Sequence, residues 1–157
     1  LIDSFIAGFF EKELELKNIE LIKHFAPNLP MVLLDENQFK QVLINLLNNA
    51  SDAITPPGII TIFTFLDGER VGVSVSDTGC GIKMEEINKI FTPFYTTKPV
   101  GKGTGLGLSV SYGIIKNLGG DITVESIPGK GTLFTIYLNP HTNSSTFECI
   151  LYLSDFP

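Results

Sequence analysis

The sequence predicts an α+β domain: a mixed, mostly antiparallel sheet of about five strands, accompanied by about three helices. Three observations carry that reading. Residues 59–66 and 69–76 are rich in β-branched and aromatic residues and flank Asp67-Gly68, a strong hairpin signal. Residues 122–126 and 132–138 repeat the pattern around the turn Ile127-Pro128-Gly129-Lys130-Gly131. Two apolar-periodic segments, 35–54 and 106–118, have the length and spacing of helices. A chain of 157 residues has room for one domain with one good core.

Composition narrows the functions available. Apolar residues make up 43% of the chain and mean hydropathy is positive, which excludes a disordered polymer. Net charge is −6 and Arg70 is the only arginine, so the basic footprint of a nucleic-acid binder is missing. An acidic chain can still hold an anionic nucleotide through backbone N–H groups, one or two lysines and a divalent cation. Cys80 and Cys149 are too few and too differently placed for a disulfide framework, which favours a reducing compartment. No apolar run approaches membrane-spanning length and no signal peptide is recognised. The first residues already read as helix, so a piece of a longer protein is expected.

Taken in order, residues 1–17 mix apolar and acidic residues at roughly helical spacing, with Gly8 against it. Residues 19–25 read as a short edge strand closed by Pro27 and Pro30, and 31–34 as a second apolar run. His24 on such a strand reads as plain surface. Asp35 opens a helix, with Asp35 or Asn37 as its cap. Phe39, Val42, Leu43, Leu46, Leu47, Ala50 and Ile54 recur at helical spacing and predict its buried face. Asn45, Asn48, Asn49 and Asp52 fall together on the other side. A solvated face normally carries Glu, Lys and Arg, because Asn weakens a helix. The asparagines therefore mark a site, and their amide oxygens are hard, neutral ligands that suit Mg²⁺.

Thr55 to Gly58 ends that helix with two prolines. Val71, Val73 and Val75 alternate with Gly72, Ser74 and Ser76, predicting a strand with one buried face. Asp77 follows at the strand's end, where a side chain can enter a pocket. In Asp77-Thr78-Gly79-Cys80-Gly81 the carboxylate accepts hydrogen bonds only, so it can recognise the exocyclic amine of adenine. The glycines let the backbone turn and approach a flat ring. Cys80 has nothing basic beside it and reads as a small filler. Residues 83–90 read as a short helix, Phe91 to Tyr95 as an aromatic cluster, and Thr96 to Thr104 as an irregular lid carrying Lys98 and Lys102.

Gly103-Thr104-Gly105-Leu106-Gly107-Leu108 runs straight into an apolar helix, with Val110, Ile114 and Leu118 on one face and Gly119-Gly120 as its stop. Free N–H groups and the positive dipole end make such a start an anion site. It is neither a Walker A loop nor G-x-G-x-x-G, and no His-Arg-Asp loop occurs. Thr132, at a strand start, adds a hydroxyl to the pocket. Residues 140–157 read as a polar linker followed by a short apolar tail of unknown role.

These motifs, in this order, resemble the ATP-binding domain of sensor histidine kinases, part of the GHKL (Bergerat-fold) ATPase superfamily, over about residues 1–139. The N box is similar to Asn37–Ile54, the first glycine box to Asp77–Ile82, and the F box to Phe91–Tyr95. The second glycine box is similar to Gly101–Leu108, and Gly131-Thr132 also fits. Four boxes in sequence are far more specific than one. The resemblance implies a two-layer α/β sandwich, helices on one face of the sheet, and a protein-histidine kinase using ATP and Mg²⁺. By matching position, Asn49 would be the chief Mg²⁺ ligand, with Asn45 assisting at the phosphates and Lys98 reaching the γ-phosphate. Asn45 and Lys98 are thus the candidate catalytic residues. Asp77 would hold the adenine amine, with Gly79, Gly81, Ile82 and Thr132 around the ring. Gly103, Thr104, Gly105, Leu106, Gly107 and Leu108 would meet the phosphates, chiefly through backbone N–H groups. Asp52 stands where many members have Lys and is given no phosphate contact.

The runs Asn-Asn-Ala-Ser-Asp-Ala-Ile and Tyr-Thr-Thr-Lys-Pro-Val-Gly-Lys-Gly-Thr-Gly-Leu-Gly-Leu-Ser look most like the nitrogen-regulation type of bacterial kinase. Neither His24 nor His141 lies in the family's acceptor motif, a His followed by Glu or Asp in a dimeric helical hairpin. The acceptor is therefore expected on a separate dimerisation domain, with a response regulator downstream. Expected too are a cytoplasmic location, with a parent that can be membrane-anchored, and neither nucleic-acid nor membrane contact from this fragment. Three rivals remain at this point: a clamp-type ATPase of the gyrase, mismatch-repair or heat-shock kind, an anti-sigma-factor serine kinase, and a nucleotide-free interaction domain. Clamp ATPases place a Glu general base one turn before the metal-binding Asn; here that position is Asn45.

Overall fold

The structure, a computed structural model, describes residues 1–7, 9–99, 103–141 and 150–151. Its main sheet has five strands: β1 (Ile19–His24), β3 (Gly58–Asp67), β4 (Arg70–Asp77), β5 (Asp121–Ile127) and β6 (Gly131–Leu138). They lie in the order β1-β3-β4-β6-β5. β1 runs parallel to β3, and the other neighbours are antiparallel. Both expected hairpins form. Asp67 pairs with Arg70 across a turn in which Gly68 takes φ +61°, and β5 pairs with β6 from Ile127↔Gly131 onward. β1 is an edge strand and His24 on it is exposed, as read from the sequence. A short β2 (Val32–Leu33) pairs with β7 (Ile150–Leu151) in a separate two-stranded sheet.

Helix α3 (Glu36–Ala53) forms where the periodicity put it, and Asp35 caps it by accepting from the Gln38 N–H at 2.9 Å. Its seven predicted apolar positions are all buried in the core. Val71, Val73 and Val75 of β4 face them, also buried. The strand's two-residue period then carries Asp77 onto that same helix-facing side, 6% exposed. The carboxylate thus stands at the end of the core, in the gap between sheet and helices. Replacing the cap, Asp35→Ala, is expected to lower stability by about 1 kcal/mol in urea denaturation with an unchanged m-value.

Helix α5 (Gly107–Asn117) packs beside α3, and Gly119, at φ +71°, ends it. Its orientation differs from the sequence reading. Val110 is 37% exposed, while Ser111 and Ile115 are fully buried. α5 is apolar on more than one side, so its own pattern does not fix its rotation; packing against α3 does. The helix expected over residues 1–17 is two, α1 (Ile2–Ile6) and α2 (Phe9–Leu16), because Ala7 leaves helical geometry at ψ 122°. Gly8 lies outside the described residues. Residues 83–90 yield only one helical turn, α4 (Met84–Ile87), with no side-chain cap. The F box is part of the main body: Phe91 packs edge-on against Phe134 of β6 and 5.3 Å from the Tyr112 ring of α5.

Candidate functional site

The polar stripe of α3, the end of β4 and the start of α5 open on one cavity of about 740 Å³. Asn45, Asn48, Asn49 and Asp52 line it from α3. Asp77, Gly81, Ile82 and Thr132 line its other end. Gly103, Thr104, Gly105, Gly107 and Leu108 bound it from the loop before α5, and Lys98 from the lid. A cavity of this size, lined in comparable measure by polar and apolar groups, suits a small-molecule ligand with a polar end. Two residues singled out from the sequence do not line it. Gly79 is buried beneath, its N–H donating to Asp77 Oδ1 at 2.7 Å, and Leu106 has its side chain partly in solvent.

The glycines of the first box meet a demand of the fold beyond the one read from the sequence. A Cβ on Gly79 would press into the Ala53 carbonyl at the end of α3, and one on Gly81 would overlap the Ile127 carbonyl. Cys80 N–H donates to the Ala53 oxygen at 2.9 Å, and Gly129 N–H to the Cys80 oxygen at 2.7 Å. The loop is thus sewn backbone to backbone between α3 and the β5–β6 turn. Gly131, at φ +123°, lies so close to Asp77 that a Cβ would overlap its carbonyl. These contacts make glycine necessary before any ligand arrives.

Asp77 accepts from the Gly79 and Thr132 backbone N–H groups. Burial pushes its carboxyl above the ordinary carboxylate range, and those two donors pull it back only in part. Ser126, marked by no motif or periodicity, ties this end together. Its hydroxyl accepts from Ile82 N–H at 2.8 Å, donates to the Gly131 carbonyl, and shares a hydrogen with the Thr132 hydroxyl, each at 2.9 Å. The Thr132 hydroxyl therefore lines the cavity already partnered.

At the other end Lys98 reaches across from the lid. Its ammonium is 2.6 Å from Asp52 and 3.4 Å from Asn49 Oδ1. Asp52, set aside in the sequence reading, is the ion-pair partner of the lid's lysine. Lys102 lies outside the described residues. The lid's base is pinned where Phe94 N–H donates to the Gly105 carbonyl at 2.9 Å. α5 begins at Leu106 with no side-chain cap, so its first-turn N–H groups have no intrahelical acceptor. Glu13 of α2 and Lys17, in the turn just after it, also line the cavity, with Lys17 Nζ 3.3 Å from Ser51 Oγ. No local signal in the sequence joins residues so distant from the boxes.

The family model for histidine kinase-, DNA gyrase B- and HSP90-like ATPases matches residues 34–142. The chain belongs to this family, and within it is an ATP-binding catalytic domain of the sensor histidine kinase type. It is 45% identical over 137 residues to the sensor kinase CckA of Brucella abortus, covering 78% of this chain and 14% of that protein. Over 113 residues it is 48% identical to the sensor histidine kinase ZraS of Klebsiella oxytoca, covering 71% of this chain and 24% of that one. The chain thus spans a quarter or less of these relatives. Among solved structures it superposes on a nucleotide-free catalytic domain of histidine kinase ThkA with TM-score 0.77 and 36% identity, covering 88% and 89% of the two chains. Full-length ShkA in complex with AMPPNP matches at TM-score 0.78 and 29% identity, over 92% of this chain and 31% of that one. Among the described residues no helix is long and apolar enough to cross a membrane.

Proposed function

We propose that this chain binds ATP with Mg²⁺ and presents the γ-phosphoryl group to a histidine on a separate dimerisation domain, passing signal to a response regulator. One observation carries the reading: the amide stripe, Asp77 and an uncapped helix start share a single cavity. The AMPPNP complex of the similar ShkA supports a nucleotide as its occupant. Asp77 takes the adenine amine, and Ile82 and Thr132 flank the ring. The N–H groups opening α5 take the phosphates, as helix N-termini do.

The residues fit Mg²⁺. Asn49 Oδ1 already faces a cation, accepting from the Lys98 ammonium at 3.4 Å while Asp52 pairs with it at 2.6 Å. No cluster of three or more His, Cys, Asp or Glu among the described residues could hold a metal alone, so an ion here takes most oxygens from phosphate and water. When bound, the ion would neutralise phosphate charge. Lys98 turns from Asp52 to the γ-phosphate. An amide at position 45 cannot take a proton, so the site favours transfer to an incoming acceptor over hydrolysis.

The ATP-binding unit is assigned to residues 1–139 and the tail to 140–157, of which 150–151 returns to pair with β2. The nitrogen-regulation type is supported by its two marker runs meeting in space, Asp52 of one holding Lys98 of the other. Titration calorimetry tests the function. ATP is expected to bind with Mg²⁺ and far more weakly in EDTA, with no phosphorylated protein formed by the fragment alone. No binding of ATP or ADP at millimolar concentration with Mg²⁺ present would end the reading.

A further inference from the structure

Asn45 is held by α5 in a way that limits what it can do. Its Nδ2 donates to the Gly107 carbonyl at 3.0 Å and to Ser111 Oγ at 3.1 Å. A side-chain amide nitrogen has two hydrogens, and both are engaged. The reversed amide would set two carbonyl oxygens 3.0 Å apart, which the Gly107 contact forbids. Asn45 lines the cavity, so the group it has left to offer there is Oδ1, an acceptor only. Such a group repels a phosphate oxygen. It can address a cation or a water that carries its own hydrogens.

Ser111 makes this arrangement possible. It is fully buried in the middle of α5, where serine is a poorer helix former than alanine. Its hydroxyl is the side-chain partner of Asn45 across the α3–α5 interface.

We propose that Ser111 is a positioning residue: with the Gly107 carbonyl, it turns the Asn45 amide so that its oxygen joins that of Asn49 toward the metal. This rests on the Mg²⁺ reading above. One helical turn separates the two asparagines, so α3 presents two carbonyl oxygens, the second fixed from α5. Gly107 contributes through both of its backbone groups: its N–H lies in the phosphate-binding first turn, and its C=O orients Asn45. Occupation of the phosphate end and orientation of the metal end are therefore mechanically joined through one residue.

The test compares ADP binding in Mg²⁺ and in EDTA for the wild type, Ser111→Ala, Ser111→Thr and Asn49→Ala. Ser111→Ala is expected to reduce the Mg²⁺-dependent gain in affinity about tenfold, the usual scale for losing a ligand's orienting partner. Affinity in EDTA is expected to stay within about twofold of the wild type, less than one hydrogen bond contributes. Ser111→Thr, which keeps the hydroxyl, is expected to recover most of the gain. The electron paramagnetic resonance spectrum of Mn²⁺ with ADP should change in the alanine variant and return in the threonine variant. A lost Mg²⁺ gain in Asn49→Ala with an intact gain in Ser111→Ala would overturn the positioning role alone. Equal losses in alanine and threonine variants would also overturn it, since the hydroxyl would not be responsible. An unchanged gain in Asn49→Ala would remove the metal reading and the positioning role together.

Discussion

Asn49→Ala is expected to remove the Mg²⁺-dependent part of ATP binding while leaving the fold intact. Asn49 sits mid-helix on α3, half-buried, with its oxygen toward Lys98 and the cavity. Alanine is the better helix former by about 0.5 kcal/mol, so the helix itself has no reason to weaken. What disappears is the oxygen that draws a cation to the phosphate end. A charge-assisted contact of up to about 3 kcal/mol corresponds to roughly a hundredfold in affinity. Calorimetry with and without Mg²⁺, alongside a thermal melt of the free protein, separates the two quantities. A variant that melts normally and still binds ATP more tightly with Mg²⁺ would show that the metal is held elsewhere.

Asp77→Asn is expected to weaken ATP and ADP equally, by roughly ten- to a hundredfold, the range for a hydrogen bond to a charged group. The substitution preserves shape, but it replaces one acceptor oxygen by a donor in front of a donor amine. The free protein should change little. Removing a desolvated charge stabilises it, and losing one of the two backbone bonds to Gly79 and Thr132 opposes that. Asp77 also sets a pH dependence with a definite sign. Its folded pKa lies above the unfolded value, so between the two the folded state holds more protons. The contribution of this group to stability is present below the unfolded pKa and is lost as pH rises through the folded one. Nucleotide affinity runs the other way, falling as acid protonates the carboxylate that must accept the adenine amine. Relative to Asp77→Asn, the wild type's melting temperature should therefore gain as pH falls while its nucleotide affinity drops. Parallel curves in both proteins would remove Asp77 from the adenine site.

Much of the fold was legible because α3 and β4 each have one unambiguous periodicity. The buried set from Phe39 to Ile54, the valines of β4 and the turn at Gly68 are local consequences of 3.6- and 2-residue spacing. The meeting of Asn49 with Asp77 was legible for the same reason, since each periodicity aims its polar member at the gap between layers. The rotation of α5 was not, because Val110, Ile114 and Leu118 compete with Leu108 and Ile115 for the core and only α3 decides. That rotation is what buries Ser111 against Asn45, so its role was hidden with it. The strand order, with β1 parallel to β3, the break at Ala7 and the approach of Lys17 to Ser51 are likewise tertiary outcomes. The box glycines were found for a reason only partly right: Gly79 and Gly81 are required by neighbouring backbone.

The hydrogen bond from Phe94 N–H to the Gly105 carbonyl has a thermodynamic consequence for the segment it spans. Bringing two chain ends together is the main entropic burden of closing any surface loop, and it grows only slowly with length. Here that burden is already met in the free protein. Nucleotide therefore does not have to bring Phe94 and Gly105 together, so changes in the length or composition of the chain between them should alter how fast ligands come and go far more than whether the domain holds together.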